Sequence, residues 1–132
     1  MTVCSDTVAP AEATAVSIYQ AIGGRAAVTA AVDGLYERII ADPVVGRFFP
    51  QGVAPKHRAY FITLFGEALG GPERYRGPDL VKAHSGLGIT DDDFDRTAGH
   101  LVATLDSLGV PGHLADQIVG IVAGLRPAVV TA

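Results

Sequence analysis

Apolar residues that recur every three or four positions dominate this chain of 132 residues. In the clearest stretch, residues 25–40, they would form one buried stripe along a long helix. The stripe consists of Val28, Val32, Leu35, Tyr36, Ile39 and Ile40. No segment shows the period of two that is typical of a half-buried strand, so the sequence predicts an all-α fold.

Cap and breaker residues predict the bounds of six further helices. A very short helix follows Ser17 and stops at Gly23 and Gly24, because Ser17 and Gln20 have the spacing of a capping box. The Asp42-Pro43 pair starts another short helix, and Thr90 caps a long one. After the helix at Ser17, five helices are predicted in all. They cover residues 42–49, 55–69, 80–84, 90–108 and about 112–125, and the last has a frayed end at Pro127. Residues 70–79 are predicted to form a loop.

The three longest of these six helices each carry an inner stripe of their own. In residues 55–69 the stripe is His57, Phe61, Leu64, Phe65, Ala68 and Leu69. In the next long helix it is Phe94, Ala98, Leu101, Val102, Leu105 and Leu108, and in the last it is Leu114, Ile118, Ile121, Val122 and Leu125. An ordinary four-helix bundle would satisfy these stripes. The short helices and the loop in the middle of the chain instead favour a fold around a flat apolar ligand.

Length and composition predict one domain over residues 17–132, preceded by a flexible N-terminal tail over residues 1–16. Apolar residues make up 48% and charged residues 18%, with a net charge of -4. No dense basic stripe is present, which argues against nucleic acid as a partner. No apolar run is long enough for stable membrane insertion. A single cysteine, Cys4, and a first segment without basic residues favour the cytoplasm.

His84 is the histidine most suited to bind a metal. It lies on a short apolar helix after Val81 and Ala83, and a glycine-containing loop follows it. A neutral imidazole on a short helix is the commonest proximal ligand of haem iron, although a half-exposed histidine of no special role has the same local pattern. His100 and His113 are more typical of packing or surface positions.

Three aromatic residues could form one wall of a pocket. Tyr36 lies on a buried stripe, where its hydroxyl needs a partner, and Phe48 and Phe49 are adjacent on a short helix. Each of the three alone is more typical of an ordinary core residue. Together they fit a pocket with an aromatic wall and one polar donor.

Several motifs resemble those of the group I truncated haemoglobins in order and spacing, from Ser17 to Leu125. The motifs are Ile22-Gly23-Gly24, Leu35-Tyr36-Glu37-Arg38, Phe48-Phe49, Ala68-Leu69-Gly70-Gly71-Pro72 with Tyr75, His84, Gly88-Ile89-Thr90, Phe94, Gly99-His100-Leu101 and Gly109-Val110-Pro111. The resemblance implies a truncated globin, a two-over-two helical sandwich around haem b. It implies His84 as the proximal ligand of the iron, Phe49 flat on the porphyrin and Tyr36 as a donor to bound dioxygen.

The resemblance also implies a distal side with an unusual composition. His57 and Phe61 would face the distal pocket, with Tyr60 at its edge and Phe94 among the cofactor-binding residues. Many relatives have glutamine or another polar residue where Phe61 stands, so a second donor is missing here. His57 could assist Tyr36, act as a gate, ligate the iron or face solvent and a propionate. Lys56, Arg58 and Lys82 are candidate propionate partners, or ordinary solvated charges.

The implied function is reversible binding of dioxygen, carbon monoxide and nitric oxide at haem iron. The resemblance also implies oxidation of nitric oxide to nitrate, which requires a separate reductase because no reductase domain fits in the chain. A redox or ligand sensor is the alternative if His57 occupies the sixth iron position. A helical interaction domain without haem is a third possibility. The expected state is a monomer or a weak homo-oligomer.

Overall fold

A computed structural model of the chain describes residues 16–131. The predicted tail, with Cys4, lies outside the described residues except for Val16. Within the described part the chain is all-helical and has no strand, which confirms the predicted fold class. No helix there has the length and apolar character needed to cross a membrane. The elements are α1 (Ile18–Ile22), α2 (Gly24–Ala41), a 3₁₀ turn (Gly46–Phe48), α3 (Pro55–Ala68), α4 (Leu80–His84), α5 (Asp91–Ser107), α6 (Gly112–Ala123) and α7 (Arg126–Val129).

Local capping signals predicted the starts of α1 and α5 correctly. The Ser17 hydroxyl accepts a hydrogen bond from the Gln20 amide at 3.1 Å, and Gly23 ends α1 in the left-handed region with φ of 119°. At the start of α5, Thr90 and Asp93 bond each other's backbone amides, both at 3.0 Å. The bounds of α4 are those predicted, with Asp79 as its N-cap.

The central element is α2, which packs against α1, α3 and α5. Its buried side chains are Val28, Ala31, Val32, Leu35 and Ile39. They meet Ile62, Phe65 and Leu69 from α3 and its C-terminal end, Leu101 and Leu105 from α5, and Ile118 from α6. The crossing of α2 on α5 is close because Gly34 has no side chain. A Cβ atom at Gly34 would lie 2.7 Å from the Thr104 methyl group.

Five predicted stripe residues are exposed, and His57 in the first turn of α3 is one of them. Ile40, Val102 and Leu108 are exposed to 47%, 46% and 46% of their surface, and Ala68 is also exposed. Ile40 and Val102 each follow a buried residue and therefore point about 100° away from it around the helix. Leu108 lies one residue beyond the end of α5. Ile62, which the predicted stripe omitted, is buried instead.

The predicted short helix over residues 42–49 is wrong in most of its length. The Asp42 carboxylate accepts a hydrogen bond from the Val44 amide at 2.9 Å and holds a turn, so only Gly46–Phe48 forms a 3₁₀ turn. The predicted frayed end at Pro127 is also wrong. Pro127 lies in the first turn of α7, where its missing N–H is not needed.

Asp42 joins the end of α2 to the middle of α5. Its carboxylate is buried and accepts hydrogen bonds from Arg96 Nε at 2.6 Å and His100 Nε2 at 2.7 Å. Hydrogen bonds from Arg96 and then His100 hold the pKa of Asp42 well below its usual range, against the effect of burial. His100 therefore pairs with Asp42 within the fold, a contact that the sequence did not predict.

We predict that Gly34→Ala lowers the stability of the protein. Alanine favours the helix by about 1 kcal/mol, but the clash with Thr104 should cost ~1–3 kcal/mol. Thermal unfolding of Gly34→Ala and Gly99→Ala gives a matched comparison, because no atom lies within 4 Å of a Cβ at Gly99 in α5. Gly99→Ala should be neutral or stabilising. A Gly34→Ala protein that unfolds at a higher temperature than wild type would contradict this close packing.

The Asp42 interactions predict an acid-dependent loss of stability. Because the folded pKa lies below the unfolded value of 3.8, the ionised carboxylate stabilises the fold above that value. This stabilisation is lost as the pH falls through the folded pKa. Asp42→Asn should therefore lower Tm at pH 7, and its Tm difference from wild type should shrink between about pH 4 and pH 2. A difference that stays constant over this range would contradict the assignment.

Candidate functional site

A cluster of aromatic side chains lies where α2, α3 and the 3₁₀ turn meet. The Tyr36 ring contacts Phe49 and Phe61 edge to face, with centroids 5.8 and 5.6 Å apart. Phe61 contacts the buried Phe65 in the same way at 5.7 Å. Tyr36, Phe49 and Phe61 are only half-buried, so part of this aromatic surface is available to a ligand.

The Tyr36 hydroxyl is the polar group of this cluster. Among residues 16–131 no protein atom forms a hydrogen bond with it, and burial raises its pKa to about 12. The phenol is therefore neutral at pH 7 and keeps its proton for donation. An aromatic surface with one free donor is suited to a small polar ligand.

His84 ends the short helix α4, and one of its ring nitrogens forms no hydrogen bond with any group in residues 16–131. Its Nδ1 lies 2.8 Å from the carbonyl oxygen of Leu80. A carbonyl only accepts, so in the neutral imidazole Nδ1 carries the proton and Nε2 keeps a lone pair for a metal. Val81, one helical turn before His84, is 55% exposed, and Leu87 is 49% exposed. His84 is thus half-buried beside apolar side chains that the protein core does not cover.

The other residues predicted on the distal helix lie near its exposed side. His57 is exposed in the first turn of α3. The ammonium group of Lys56 lies 5.8 Å from the centre of the Tyr60 ring, which contacts Tyr75 at 6.1 Å. Arg58 forms a two-bond ion pair with Asp33 at 2.5 and 2.8 Å. In the described chain, the rings and charged groups of His57, Lys56, Tyr60 and Arg58 do not contact the Tyr36 ring.

Phe48 and Phe94 lie outside the aromatic cluster around Tyr36. The Arg47 guanidinium lies 4.3 Å from the centre of the Phe48 ring and pairs with Asp93 at 2.8 and 3.1 Å. Hydrogen bonds from Arg47 lower the pKa of Asp93 to about 2. Phe94 is buried beneath the Arg126 guanidinium at 4.5 Å. Lys82 is exposed on α4.

Comparison with known proteins identifies the family. The model of the bacterial-like globin family matches residues 17–131. The chain is 36% identical over 115 residues to the group 1 truncated haemoglobin of Mycolicibacterium paratuberculosis, covering 87% of this chain and 85% of that protein. This chain belongs to the group 1 truncated haemoglobins.

Solved structures of other truncated globins have the same fold. The ferric truncated haemoglobin of Tetrahymena pyriformis is 28% identical, with a TM-score of 0.83 over 89% of this globin and 100% of that chain. The 2/2 haemoglobin of a Synechococcus species, in the cyanomet state with covalently attached haem, is 36% identical. Its TM-score is 0.77 over 84% of this globin and 94% of that chain. The predicted two-over-two helical sandwich is confirmed.

Haem iron is the cofactor that membership of this family assigns to the globin. The residues present fit such a group. The donor set offers a free imidazole nitrogen on His84, and α4 is not packed extensively against α3 in the described chain. The half-buried rings of Phe49 and Phe61 offer apolar contact. The globin family binds small diatomic gases at haem iron.

The contacts of the C-terminal residues with the chain after α4 have no local signature in the sequence. Ile89 and Thr131 exchange two hydrogen bonds, and Arg126 pairs with Asp91 and Asp95. The partners in the first pair are 42 residues apart, so no local spacing indicates them. For the second contact, the only local indication is that Arg126 and the acidic residues at the start of α5 have opposite charges.

Proposed function

We propose that this globin binds haem b through His84 and reversibly binds dioxygen beside Tyr36. Carbon monoxide and nitric oxide would bind at the same place. The observation that carries the proposal is the Tyr36 hydroxyl, a neutral donor among aromatic rings that has no acceptor within residues 16–131. When bound, ferrous haem supplies an iron with an open coordination position for such gases.

The proposed role of His84 follows from its hydrogen bond to Leu80. The bond from Nδ1 to the carbonyl orients the ring and makes Nε2 a better donor to a metal. In the tautomer that this bond favours, Nε2 is the nitrogen that can bind a metal. Val81 and Leu87 would gain burial from an apolar ring system on this side.

The proposed role of Tyr36 is to hold dioxygen by one hydrogen bond. Phe61, which contacts Tyr36 on α3, has no polar atom, so it offers no second donor. Phe49 and Phe61 orient the Tyr36 ring by edge-to-face contacts and limit the access of water to the hydroxyl. Retention of dioxygen would thus depend on a single O–H group.

The position of His57 supports an open iron position over a six-coordinate sensor. Its side chain is exposed in the first turn of α3, away from the aromatic contacts of Tyr36. His57, Lys56 and Lys82 are exposed and can meet haem propionates at the surface. Arg58 is a weaker candidate for this role, because its guanidinium already forms an ion pair with Asp33.

Nitric oxide oxidation is the enzymatic form of this proposal. One nitric oxide, one dioxygen and one electron give one nitrate, so each turnover needs an external electron donor. A separate reductase would supply that electron, and Tyr36 would act as the residue that holds the dioxygen. The single cysteine, Cys4, supports function in a reducing cytoplasm. We propose a monomer or a weak homo-oligomer as the working form.

We predict that His84→Ala abolishes the globin-type absorption spectrum in the ferric, ferrous and carbon-monoxide states. The reason is loss of the only imidazole on α4. His113→Ala is the matched control, because His113 is exposed on α6. Added imidazole should restore the spectrum of His84→Ala in part. An unchanged ferrous spectrum in this variant would remove His84 as the ligand.

We further predict that Tyr36→Phe raises the dioxygen dissociation rate about tenfold, the factor that a hydrogen bond worth about 1.4 kcal/mol supplies. Stopped-flow replacement of dioxygen by carbon monoxide measures this rate. Tyr75→Phe removes a hydroxyl that bonds the Pro78 carbonyl and should leave the rate unchanged. Equal rates for wild type and Tyr36→Phe would exclude Tyr36 as the donor.

A further inference from the structure

The last described residues, 126–131, form a segment that we name the C-terminal strap. Its helical part is α7, which packs against both α4 and α5. The strap therefore joins the helix of His84 to a long helix of the core. This arrangement is unexpected from the sequence, in which Pro127 predicted only the end of a helix.

One end of the strap is bonded to the segment after His84. The Thr131 amide donates to the Ile89 carbonyl at 2.9 Å, and the Ile89 amide donates to the Thr131 hydroxyl at 3.2 Å. Ile89 is itself buried. It follows His84 by five residues, across a short turn that contains Gly86 and Gly88. Thr131 thus satisfies both backbone groups of the residue where this turn ends.

The other end of the strap is held to α5 by charge and by an aromatic contact. Arg126 donates to Asp91 at 2.9 Å and to Asp95 at 2.5 Å. Its guanidinium also lies 4.5 Å from the centre of the Phe94 ring, which is buried. A planar guanidinium that bonds two carboxylates and stacks on a ring has little freedom to move.

The helix α4 has few other anchors. It has five residues, and none of them is fully buried. A helix of this length has little stability of its own in water. Its Asp79 cap fixes only the first turn, and α7 is its main packing partner in the described chain. The helix that carries His84 at its last position therefore has α7 as its main support within residues 16–131.

We propose that the C-terminal strap positions the His84 imidazole, with Thr131 and Arg126 as positioning residues. This inference rests on the proposed role of His84 as the haem ligand. The strap packs against α4 before the turn and bonds Ile89 after it. These contacts set the tilt of the His84 ring and limit the movement of α4. Loss of either anchor should change the strength of the iron–histidine bond and speed the loss of haem.

The test uses the full-length haem-loaded protein and the variant Thr131→Val. Valine keeps the shape and the backbone amide but removes the hydroxyl that accepts from Ile89. Resonance Raman spectroscopy of the ferrous protein should show a shifted iron–histidine stretching band. Transfer of haem to an apomyoglobin acceptor should be about fivefold faster, the effect expected of one lost hydrogen bond. Thr131→Ser should restore both properties to those of wild type.

Two further variants make the test specific. Arg126→Gln removes the charge at the other anchor and should shift the same band. Thr97→Val is the matched control, because the Thr97 hydroxyl bonds the Asp93 carbonyl within α5 and forms no hydrogen bond with the strap. Hydrogen exchange of the haem-free protein should show lower protection of the α4 amides in Thr131→Val and Arg126→Gln only.

The outcomes separate the strap from the proposed function. An iron–histidine band at the wild-type position in both Thr131→Val and Arg126→Gln, with unchanged haem loss, overturns the positioning role while His84 remains the ligand. An iron–histidine band that persists in His84→Ala overturns the proposed ligand itself, and with it the positioning role. A shift in Thr97→Val equal to that in Thr131→Val also overturns the proposal, because the effect would then not depend on the strap.

Discussion

The close contact between α2 and α5 at Gly34 and Thr104 sets the arrangement of the other helices. Because Gly34 has no side chain, the two backbones approach more closely than ordinary side chains would permit. Other faces of α2 contact α3 and α1, so α2 packs against three helices to form the core. The same helix carries Tyr36 at the border of this core. The position of the candidate donor therefore depends on the crossing.

Most of the fold was predictable because its signals are local. The caps at Ser17 and Thr90 depend on residues three positions away, and both were found in the structure. The edges of the inner stripes were not predictable in this way. Ile40 and Val102 are as apolar as their buried neighbours. They are exposed because the contact surface of each helix is too narrow to cover them. Asp42 has the local pattern of a helix start, but its long-range bonds to Arg96 and His100 give it another role.

The candidate site was predictable in part for a similar reason. Tyr36, Phe49 and Phe61 meet because stripes on two crossing helices and a turn converge on one core. Phe48 and Phe94 were expected with them, but each packs beneath an arginine whose acidic partner is on α5. Arg58 likewise forms an ion pair with Asp33. Competition between charged side chains far apart in the chain is not visible in local spacing, and the roles of these residues toward haem stay predictions.

The Tyr36 hydroxyl, which has no hydrogen-bond partner among residues 16–131, would affect selectivity between gases. A donor that has no acceptor among the described residues breaks no internal hydrogen bond when a polar ligand binds, so the ligand gains the net value of the new bond. Carbon monoxide gathers little negative charge on its outer atom and gains little from such a donor, whereas dioxygen gains more. The presence or absence of one O–H group would therefore change the ratio of the two affinities.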